Sequence, residues 1–531
     1  MTAFNIANIL YLSGTVDIVR LVGSLNAALA SDPVFCSNMV EGSVGPKRTL
    51  RSSAPKVREV AKIDINAEVN HNFDLVHDEL IRVHLVQNMD AERGRGHLVA
   101  QLVIVASHII ADLGTLQNLL RLTSMAFSGI TPTTYERPRH LDSNRWIQHP
   151  SLDEQKFWEN YLSGHSYNNN NLSLLPRSFP SSRLATFDGA SRTREFSGRL
   201  VTTLNTLIGR LGITHHQMGL AAAALMLQWL SGEDDIVLGA PNANRSSSIE
   251  REALGQFLDR LPVRVKLTRH ITEDGVTTNT VLTKVRSSSL MALANAIPFS
   301  NILETLQFPS GVLNHPLFEC MVTFHPRSAR LDNWLQLPDC DVSVSSQFAR
   351  GSKFPLMLEW FELDPDRWSL HIEYDTNRLL PATIDIVEDA LEIILNAMGE
   401  ECSIFELQAR LAGQTLLDLG SGDDCLTSSS LSRSAWSNDP EQSVSMEEIV
   451  TMIQGEMAAC LDKGGYMMSP NASFFSAGAD STAAVALRHR MRKIGLDIPL
   501  RVIFAAKSPL KLAEYVLLYA DNCRVSDSTH F

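Results

Sequence analysis

A serine near the C-terminus, Ser481, lies where an amphipathic helix is predicted to begin. A glycine turn precedes it, and the apolar residues after it recur at roughly 3.6-residue spacing, namely Ala483, Ala484, Val485, Leu487, Met491 and Ile494. Unpaired backbone amides and the helix dipole favour an anionic group at a helix N-terminus, so this position suits a serine that carries a phosphodiester. The alternative is a serine that only caps the helix, which is common for an Asp-Ser pair.

The surroundings of Ser481 resemble the attachment site of a phosphopantetheine carrier domain. The octet Phe474–Ser481 matches that site, and Leu500–Phe504 and Ser508–Val516 resemble the third and final helices of a carrier. The resemblance implies a small all-α four-helix bundle over residues 446–520, with 4′-phosphopantetheine attached covalently to Ser481. It also implies a pantetheinyl transferase as the partner that attaches this arm.

A histidine, His108, follows the predicted buried strand Leu98–Ala106 and precedes the predicted helix Leu116–Phe127. A histidine held rigidly at such a turn can exchange a proton with an amine or a hydroxyl near neutral pH. Asp112, four residues later, is costly to bury unless it is paired, and we expect Arg245 to be its partner. The alternative is a histidine whose hydrogen bonds are satisfied within the core.

Residues 1–405 resemble the condensation domain of nonribosomal peptide synthetases, which is related to chloramphenicol acetyltransferase. The resemblance rests on Ser107–Gly114, Ser231–Arg245, Leu254–Val265, Ile297–Leu306, His315–Phe324 and Ile372–Leu380. It implies an α/β (α+β) fold of two lobes, about 1–165 and 187–405, with a tunnel between them and His108 at its midpoint. In that family the histidine acts beside the acceptor nucleophile, so Asp112 and Arg245 are expected to hold the active-site turn.

The chain departs from the family pattern at the active-site motif. Ser107 replaces the first motif histidine, and Leu113 stands where the family has glycine, with Gly114 displaced by one position. This SHxxxDxxT pattern is similar to terminal condensation domains of fungal synthetases, which release product by cyclisation. The order of condensation unit and carrier instead resembles the end of some fungal siderophore synthetases. Asp259 replaces a usual asparagine, and Met1–Gly14 already resembles the first strand, so the family's opening helix is expected to be missing.

Composition excludes several other classes of function. The net charge of −13 argues against nucleic-acid binding, and no apolar run is long enough for a membrane span. The N-terminus does not resemble a signal peptide, so we expect a cytoplasmic protein. Seven scattered cysteines, none in CxxC spacing, predict neither a disulfide framework nor a zinc site, and His215 and His216 are expected on a helix face rather than at a metal.

A Ser-, Asp- and Gly-rich linker over residues 406–445 separates the two predicted units. It is too short to hold an adenylating domain, so we expect an adenylating or polyketide synthase partner to supply acyl groups in trans. The resemblance predicts an enzyme of secondary metabolism that forms an amide or ester bond between carrier-tethered acyl or aminoacyl groups. Two alternatives are a degenerate condensation fold that only docks or presents the carrier, and a carrier-dependent acyltransferase with a soluble acceptor.

Overall fold

The structure is a computed structural model. It describes residues 2–43, 45–87, 98–130, 150–165, 175, 187–245, 247–267, 276–308, 317–411, 445–460 and, with gaps, 468–518. Ser481 and most of the predicted linker, residues 412–444, lie outside the described residues.

Strands and helices alternate through the first four hundred residues. The strands are β1 (Asn5–Gly14), β2 (Ser37–Gly42), β3 (Gly45–Leu50), β4 (Arg58–Val60), β5 (Ile81–Gln87), β6 (Leu98–Ser107), β7 (Gly189–Ser197), β8 (Asp235–Asn242), β9 (Asp259–Lys266), β10 (Cys320–His325), β11 (Cys340–Phe348), β12 (Leu356–Asp364) and β13 (Arg367–Asp375). The helices are α1 (Ile18–Ala30), α2 (Ile65–Val69), α3 (Leu113–Phe127), α4 (Leu152–Leu162), α5 (Arg199–Leu211), α6 (His215–Ser231), α7 (Ser248–Glu252), α8 (Thr278–Ala294), α9 (Phe299–Thr305), α10 (Pro381–Gly399), α11 (Met446–Cys460) and α12 (Pro509–Leu518).

The N-terminal lobe is built on a sheet of strand order β11-β1-β6-β5-β4. Its central strands are apolar and buried along most of their length, and β1 pairs antiparallel with β6, so that Leu10 lies opposite Leu102. On the other side β1 pairs with β11, which comes from the C-terminal half of the chain. The two halves of the sequence therefore share one sheet beside the end of β6, where His108 follows.

The C-terminal lobe is built on a sheet of strand order β7-β13-β12-β10-β8-β9. Helix α6 packs against one face of this sheet, where Leu358, Trp360 and Leu370 are fully buried, and α10 packs against α6. Side chains alternate across a strand, so Glu359 and its neighbours on the adjacent strands point to the opposite face. That second face, which carries many polar residues, is called the inner face below.

Helix caps fix the segments that lead to the site. Asp112 is the N-cap of α3, with its carboxylate accepting the Thr115 N–H, and Thr214 closes a capping box with Gln217 at the start of α6. A cap of this kind stabilises a helix by about 1 kcal/mol. At the other end of α6, Gly232 adopts a left-handed φ of 73°, which ends the helix and directs the chain into β8.

Within the described part of the carrier region, α11 and α12 pack against each other. Their buried apolar residues join the core of the C-terminal lobe, and Arg488 donates a hydrogen bond to the Leu230 carbonyl oxygen at the end of α6. No helix among the described residues is long and apolar enough to cross a membrane.

Candidate functional site

His108 lies at the end of β6, in the turn that leads to α3. Its backbone N–H donates to the Phe4 carbonyl oxygen at 2.8 Å, and the Ser107 N–H donates to the Leu80 carbonyl oxygen at 2.8 Å. These two bonds continue the sheet to its last residue, so the backbone that carries the imidazole is fixed from both neighbouring segments. The side chain is largely enclosed by protein but keeps some solvent contact.

The surroundings of His108 favour its neutral form. Burial lowers its pKa, and the positive charge of Lys353 lowers it further, whereas the carboxylate of Asp112 acts in the opposite direction. A neutral imidazole is the form that can accept a proton from an attacking amine. The His108 imidazole is therefore in the form that can act as a base at neutral pH.

Asp112 is buried and fully used by hydrogen bonds. Its Oδ1 accepts from the Thr115 N–H and from Arg245 Nη2, both at 2.8 Å, and its Oδ2 accepts from the Phe257 N–H at 2.9 Å. The Asp112–Arg245 ion pair expected from the sequence is therefore present. The carboxylate points to α3 and to the segment after β8, so it holds the turn that carries His108.

Arg245 connects this turn to three carbonyl groups of the C-terminal half. Its Nη1 donates to the carbonyl oxygens of Glu250 at 2.9 Å and Ala253 at 2.6 Å, and its Nη2 donates to that of Gly255 at 3.0 Å. The guanidinium also lies 4.4 Å from the centre of the Phe257 ring. Such a planar fork with several fixed acceptors is a geometry that lysine does not reproduce.

Gly114 makes room for the guanidinium. A Cβ at this position would lie 2.8 Å from Arg245 Nε and 3.1 Å from its Cζ. In the sequence, the displaced glycine is visible only as a departure from the family motif. The structure gives it a steric role, because the glycine has to stand where α3 meets Arg245.

A polar network covers the inner face of the C-terminal sheet. Lys353 donates to Glu373 from Nζ at 2.7 Å and from its backbone N–H at 2.6 Å, and His325 Nε2 lies 2.7 Å from Glu359 Oε1. The ring of Phe348, at the end of β11, stacks on His371 with centroids 3.4 Å apart. Strand β11 belongs to the N-terminal sheet, so the inner face lies where the two lobes meet.

Sequence reasoning missed Lys353, Glu373, Glu359 and His371 as members of the site. Strand β13 is buried on both faces, so its polar residues show no alternating pattern that would mark them. By contrast, His215 and His216 lie at the start of α6 as expected, where their Nε2 atoms meet Asn205 Oδ1 at 2.8 Å and the Val322 carbonyl oxygen at 3.0 Å.

Comparison with protein families identifies both parts of the chain. The family described as "Condensation domain" matches residues 1–415, and the family described as "Phosphopantetheine attachment site" matches residues 453–516. The chain belongs to the condensation domain family. Its condensation domain is followed by a carrier of the type that holds covalent 4′-phosphopantetheine, as the sequence predicted.

The similar curated proteins are fungal nonribosomal peptide synthetases. Nonribosomal peptide synthetase gliP of Aspergillus fumigatus is 36% identical over 512 residues, which are 96% of this chain and 22% of that protein. Nonribosomal peptide synthetase verP of Clonostachys rogersoniana is 47% identical over 321 residues, which are 60% of this chain and 14% of that protein. The chain is therefore a condensation–carrier protein of nonribosomal peptide synthetase type, and it spans less than a quarter of the length of these relatives.

Solved condensation-type domains share the fold. The X-domain from teicoplanin biosynthesis superposes with a TM-score of 0.61 at 19% identity, covering 75% of this chain and 91% of that one. The condensation domain of the monacolin K polyketide synthase MokA gives a TM-score of 0.61 at 16% identity, covering 76% and 94%. The predicted α/β fold of chloramphenicol acetyltransferase type is thus confirmed for the condensation domain.

Ser481, the predicted attachment residue, lies outside the described residues. Phe474 and Leu487, which flank Ser481 in the sequence, are both fully buried. A serine hydroxyl is the functional group that a phosphodiester link requires, and Ser481 lies within the matched carrier region. Ser481 is therefore the residue that would hold 4′-phosphopantetheine.

Proposed function

We propose that this protein forms an amide, or less readily an ester, between acyl or aminoacyl groups held as thioesters on carrier arms. The observation that carries the proposal is the position of His108, fixed at the end of β6 and braced by the Asp112–Arg245 pair, in a chain that also bears a phosphopantetheine carrier. Ser481 is one of two tethers that meet at this histidine. Its phosphopantetheine supplies the thiol that carries the acyl group.

His108 acts on the acceptor in this proposal. The acceptor nitrogen attacks the thioester carbonyl carbon, the C–N bond forms, and the C–S bond breaks. His108 accepts the proton that the nitrogen loses, and the departing thiolate takes up a proton. Because a thioester is already activated, general base help of about 10²–10⁴-fold together with positioning is a sufficient contribution from the site.

Asp112 and Arg245 have a positioning role in this proposal. Their carboxylate and guanidinium are consumed by hydrogen bonds to backbone and to each other, so neither is available to move a proton during turnover. Loss of either is expected to displace the turn that carries His108. A misplacement of about 1 Å can cost roughly 100-fold in rate.

The partners and location follow from the same proposal. A pantetheinyl transferase attaches the arm to Ser481, and an adenylating or polyketide synthase enzyme supplies the acyl group in trans. We infer a cytoplasmic location and a role in the biosynthesis of a secondary metabolite.

Loading followed by transfer tests the proposal directly. The full chain is treated with a pantetheinyl transferase and a labelled aminoacyl-CoA, and amine acceptors are then added, either free or as pantetheine thioesters. We expect a labelled protein, loss of label on addition of the tethered acceptor, and an amide product. Ser481→Ala is expected to remain unlabelled, and labelling of that variant would contradict the assignment of the carrier serine.

The two other functions predict different outcomes of this experiment. A carrier-dependent acyltransferase would transfer the label to a free amine as fast as to a tethered one. A docking or scaffold protein would load at Ser481 but give no product above the uncatalysed rate. Ser107 and Leu113 replace family residues in the motif. These two replacements are the observation that favours the scaffold alternative.

A further inference from the structure

Three polar residues form a row across the inner face of the C-terminal sheet. Thr323 on β10 is paired in register with Glu359 on β12, which is paired in turn with His371 on β13. Side chains paired in this way lie on the same face, with Cβ atoms about 5 Å apart. The register alone therefore brings a hydroxyl, a carboxylate and an imidazole together at the meeting point of the two lobes.

Two members of this row have polar atoms with nothing to bind. Thr323 Oγ1 and His371 Nε2 have no hydrogen-bond partner among the described residues, although Thr323 is only 7% exposed and His371 only 2% exposed. A buried polar atom without a partner is unfavourable, so each one calls for an explanation, and a bound ligand is one. Two of them on either side of one carboxylate indicate a binding site.

The carboxylate between them is ionised and has an oxygen to spare. Burial would raise the pKa of Glu359, but the hydrogen bond from His325 and the charges of His325 and Lys353 outweigh it and lower the pKa to about 2. An ionised carboxylate only accepts hydrogen bonds, so the proton between His325 Nε2 and Oε1 belongs to the imidazole. The second oxygen, Oε2, has no partner among the residues that the structure describes.

The neutral state of His371 completes a set of acceptors. Burial lowers its pKa to about 4, so the ring is uncharged at neutral pH and one nitrogen carries a lone pair. Its Nδ1 lies 3.2 Å from the Thr193 hydroxyl. In the tautomer whose Nδ1–H donates to that hydroxyl, the lone pair is on Nε2, which is then an acceptor. A hydroxyl oxygen, a carboxylate oxygen and an imidazole nitrogen suit a group with several N–H donors and a positive charge.

Lys353 does not satisfy this row, because its ammonium is bound to Glu373 at 2.7 Å. Its charge acts on His108 as well as on Glu359 and His371, so it lies near both the proposed catalytic histidine and the row. The Lys353–Glu373 pair cancels in charge, and Glu359 forms a second ion pair with His325 through Oε1 at 2.7 Å. Glu359 therefore offers the row the lone pairs of its second oxygen rather than an excess of negative charge.

We propose that the row of Thr323, Glu359 and His371 binds a primary ammonium group of the donor aminoacyl thioester. The acceptor amine is excluded, since it must be uncharged and lie beside His108 to attack. The inference rests on the proposed function and names its substrate class, namely donors with an unblocked amine rather than fatty-acyl or N-acylated donors. Either an α-ammonium or a side-chain ammonium supplies the required chemistry.

Binding of unreactive donor analogues tests this inference separately from catalysis. Pantetheine amides of alanine, N-acetylalanine and N-acetyllysine are titrated into the full chain by calorimetry, so that no thioester can react. We expect the alanine analogue, the N-acetyllysine analogue or both to bind at least tenfold more tightly than the N-acetylalanine analogue. Tight binding of the alanine analogue identifies an α-ammonium as the bound group, and tight binding of the N-acetyllysine analogue identifies a side-chain ammonium. Equal binding of all three analogues would overturn the inference.

Variants locate the preference on the row. Glu359→Gln is expected to reduce the preference for the ammonium-bearing analogues at least tenfold. Thr323→Val is expected to reduce it severalfold. Thr323→Val breaks no hydrogen bond within the described structure, so it is expected to fold. Glu362→Gln is the matched control, because it lies on the same strand but on the opposite face, and it should leave the preference unchanged. A preference that survives both row variants would contradict the inference, whereas a preference without turnover would contradict only the proposed function.

Discussion

Substitution of Gly114 by alanine tests the brace behind His108. Gly114 is in the first turn of α3, and an added Cβ would lie 2.8 Å from Arg245 Nε, 3.1 Å from Cζ and 3.2 Å from Cδ. Carbon and nitrogen atoms without a bond between them prefer about 3.5–4.0 Å, so the guanidinium has to move by several tenths of an ångström. A free arginine would move at little cost, but this one is held.

The magnitude follows from what holds Arg245. Its two terminal nitrogens donate to the Asp112 carboxylate and to three backbone carbonyl oxygens at 2.6–3.0 Å. Weakening one hydrogen bond to a charged group costs about 1.5–3 kcal/mol, while alanine gains at most about 1 kcal/mol over glycine in a helix. With the full alanine gain, the net expectation for Gly114→Ala is a destabilisation of about 0.5–2 kcal/mol, with a loss of amide formation of at least tenfold.

Gly23→Ala is the matched control for this measurement. Gly23 lies in α1 of the same lobe, is exposed, and has no atom within 4 Å of an added Cβ. This variant should be unchanged or up to about 1 kcal/mol more stable. Urea unfolding and single-turnover rates are compared for the two variants after equal loading of the carrier. If Gly114→Ala proves as stable and as fast as Gly23→Ala, the steric argument for the brace is wrong.

Two further predictions concern pH. The double variant Lys353→Met/Glu373→Gln removes the cation that lowers the pKa of His108, so that pKa is expected to rise. The acidic limb of the pH profile of kcat/KM should then move to higher pH. An unmoved limb would contradict the influence of Lys353 on His108. For Asp235, burial raises the pKa, but the hydrogen bonds from Arg264 and the contact with His165 Nδ1 at 3.3 Å outweigh it and hold the pKa well below its usual range. A depressed carboxyl pKa adds stability that is present above about pH 4 and is lost as the pH falls through the folded-state value. Urea unfolding should therefore show Asp235→Asn less stable than the wild type at pH 7, with the difference shrinking in acid; a constant difference would refute the linkage.

Elements with a strong local pattern could be predicted from the sequence. The buried run Leu98–Ala106 is β6, and the expected helix Leu116–Phe127 is the greater part of α3. The helix begins three residues earlier than expected because Asp112 caps it. The pairing of Asp112 with Arg245 was predictable because a buried carboxylate needs a cation, and the family-like segment Ser231–Arg245 ends in an arginine.

The inner face could not be predicted, because it depends on register. Thr323, Glu359 and His371 lie in three separate strands, and only the pairing of β10 with β12 and of β12 with β13 makes them neighbours. Lys353 precedes β12 in a segment without periodicity, and its partner Glu373 is 20 residues away. A local pattern carries no information on contacts of this kind.

The role of His108 is tested most directly by a single-turnover experiment on the loaded carrier. His108→Ala and His77→Ala are loaded with the same labelled aminoacyl group, and amide formation with a tethered acceptor is timed. The His77 side chain is 79% exposed and contacts the carboxylate of Asp74, so its loss serves as the control. We predict equal loading of both variants, an unchanged rate for His77→Ala, and a rate about 10²–10⁴-fold lower for His108→Ala. Full loading with an undiminished rate in His108→Ala would contradict the assignment of the catalytic residue.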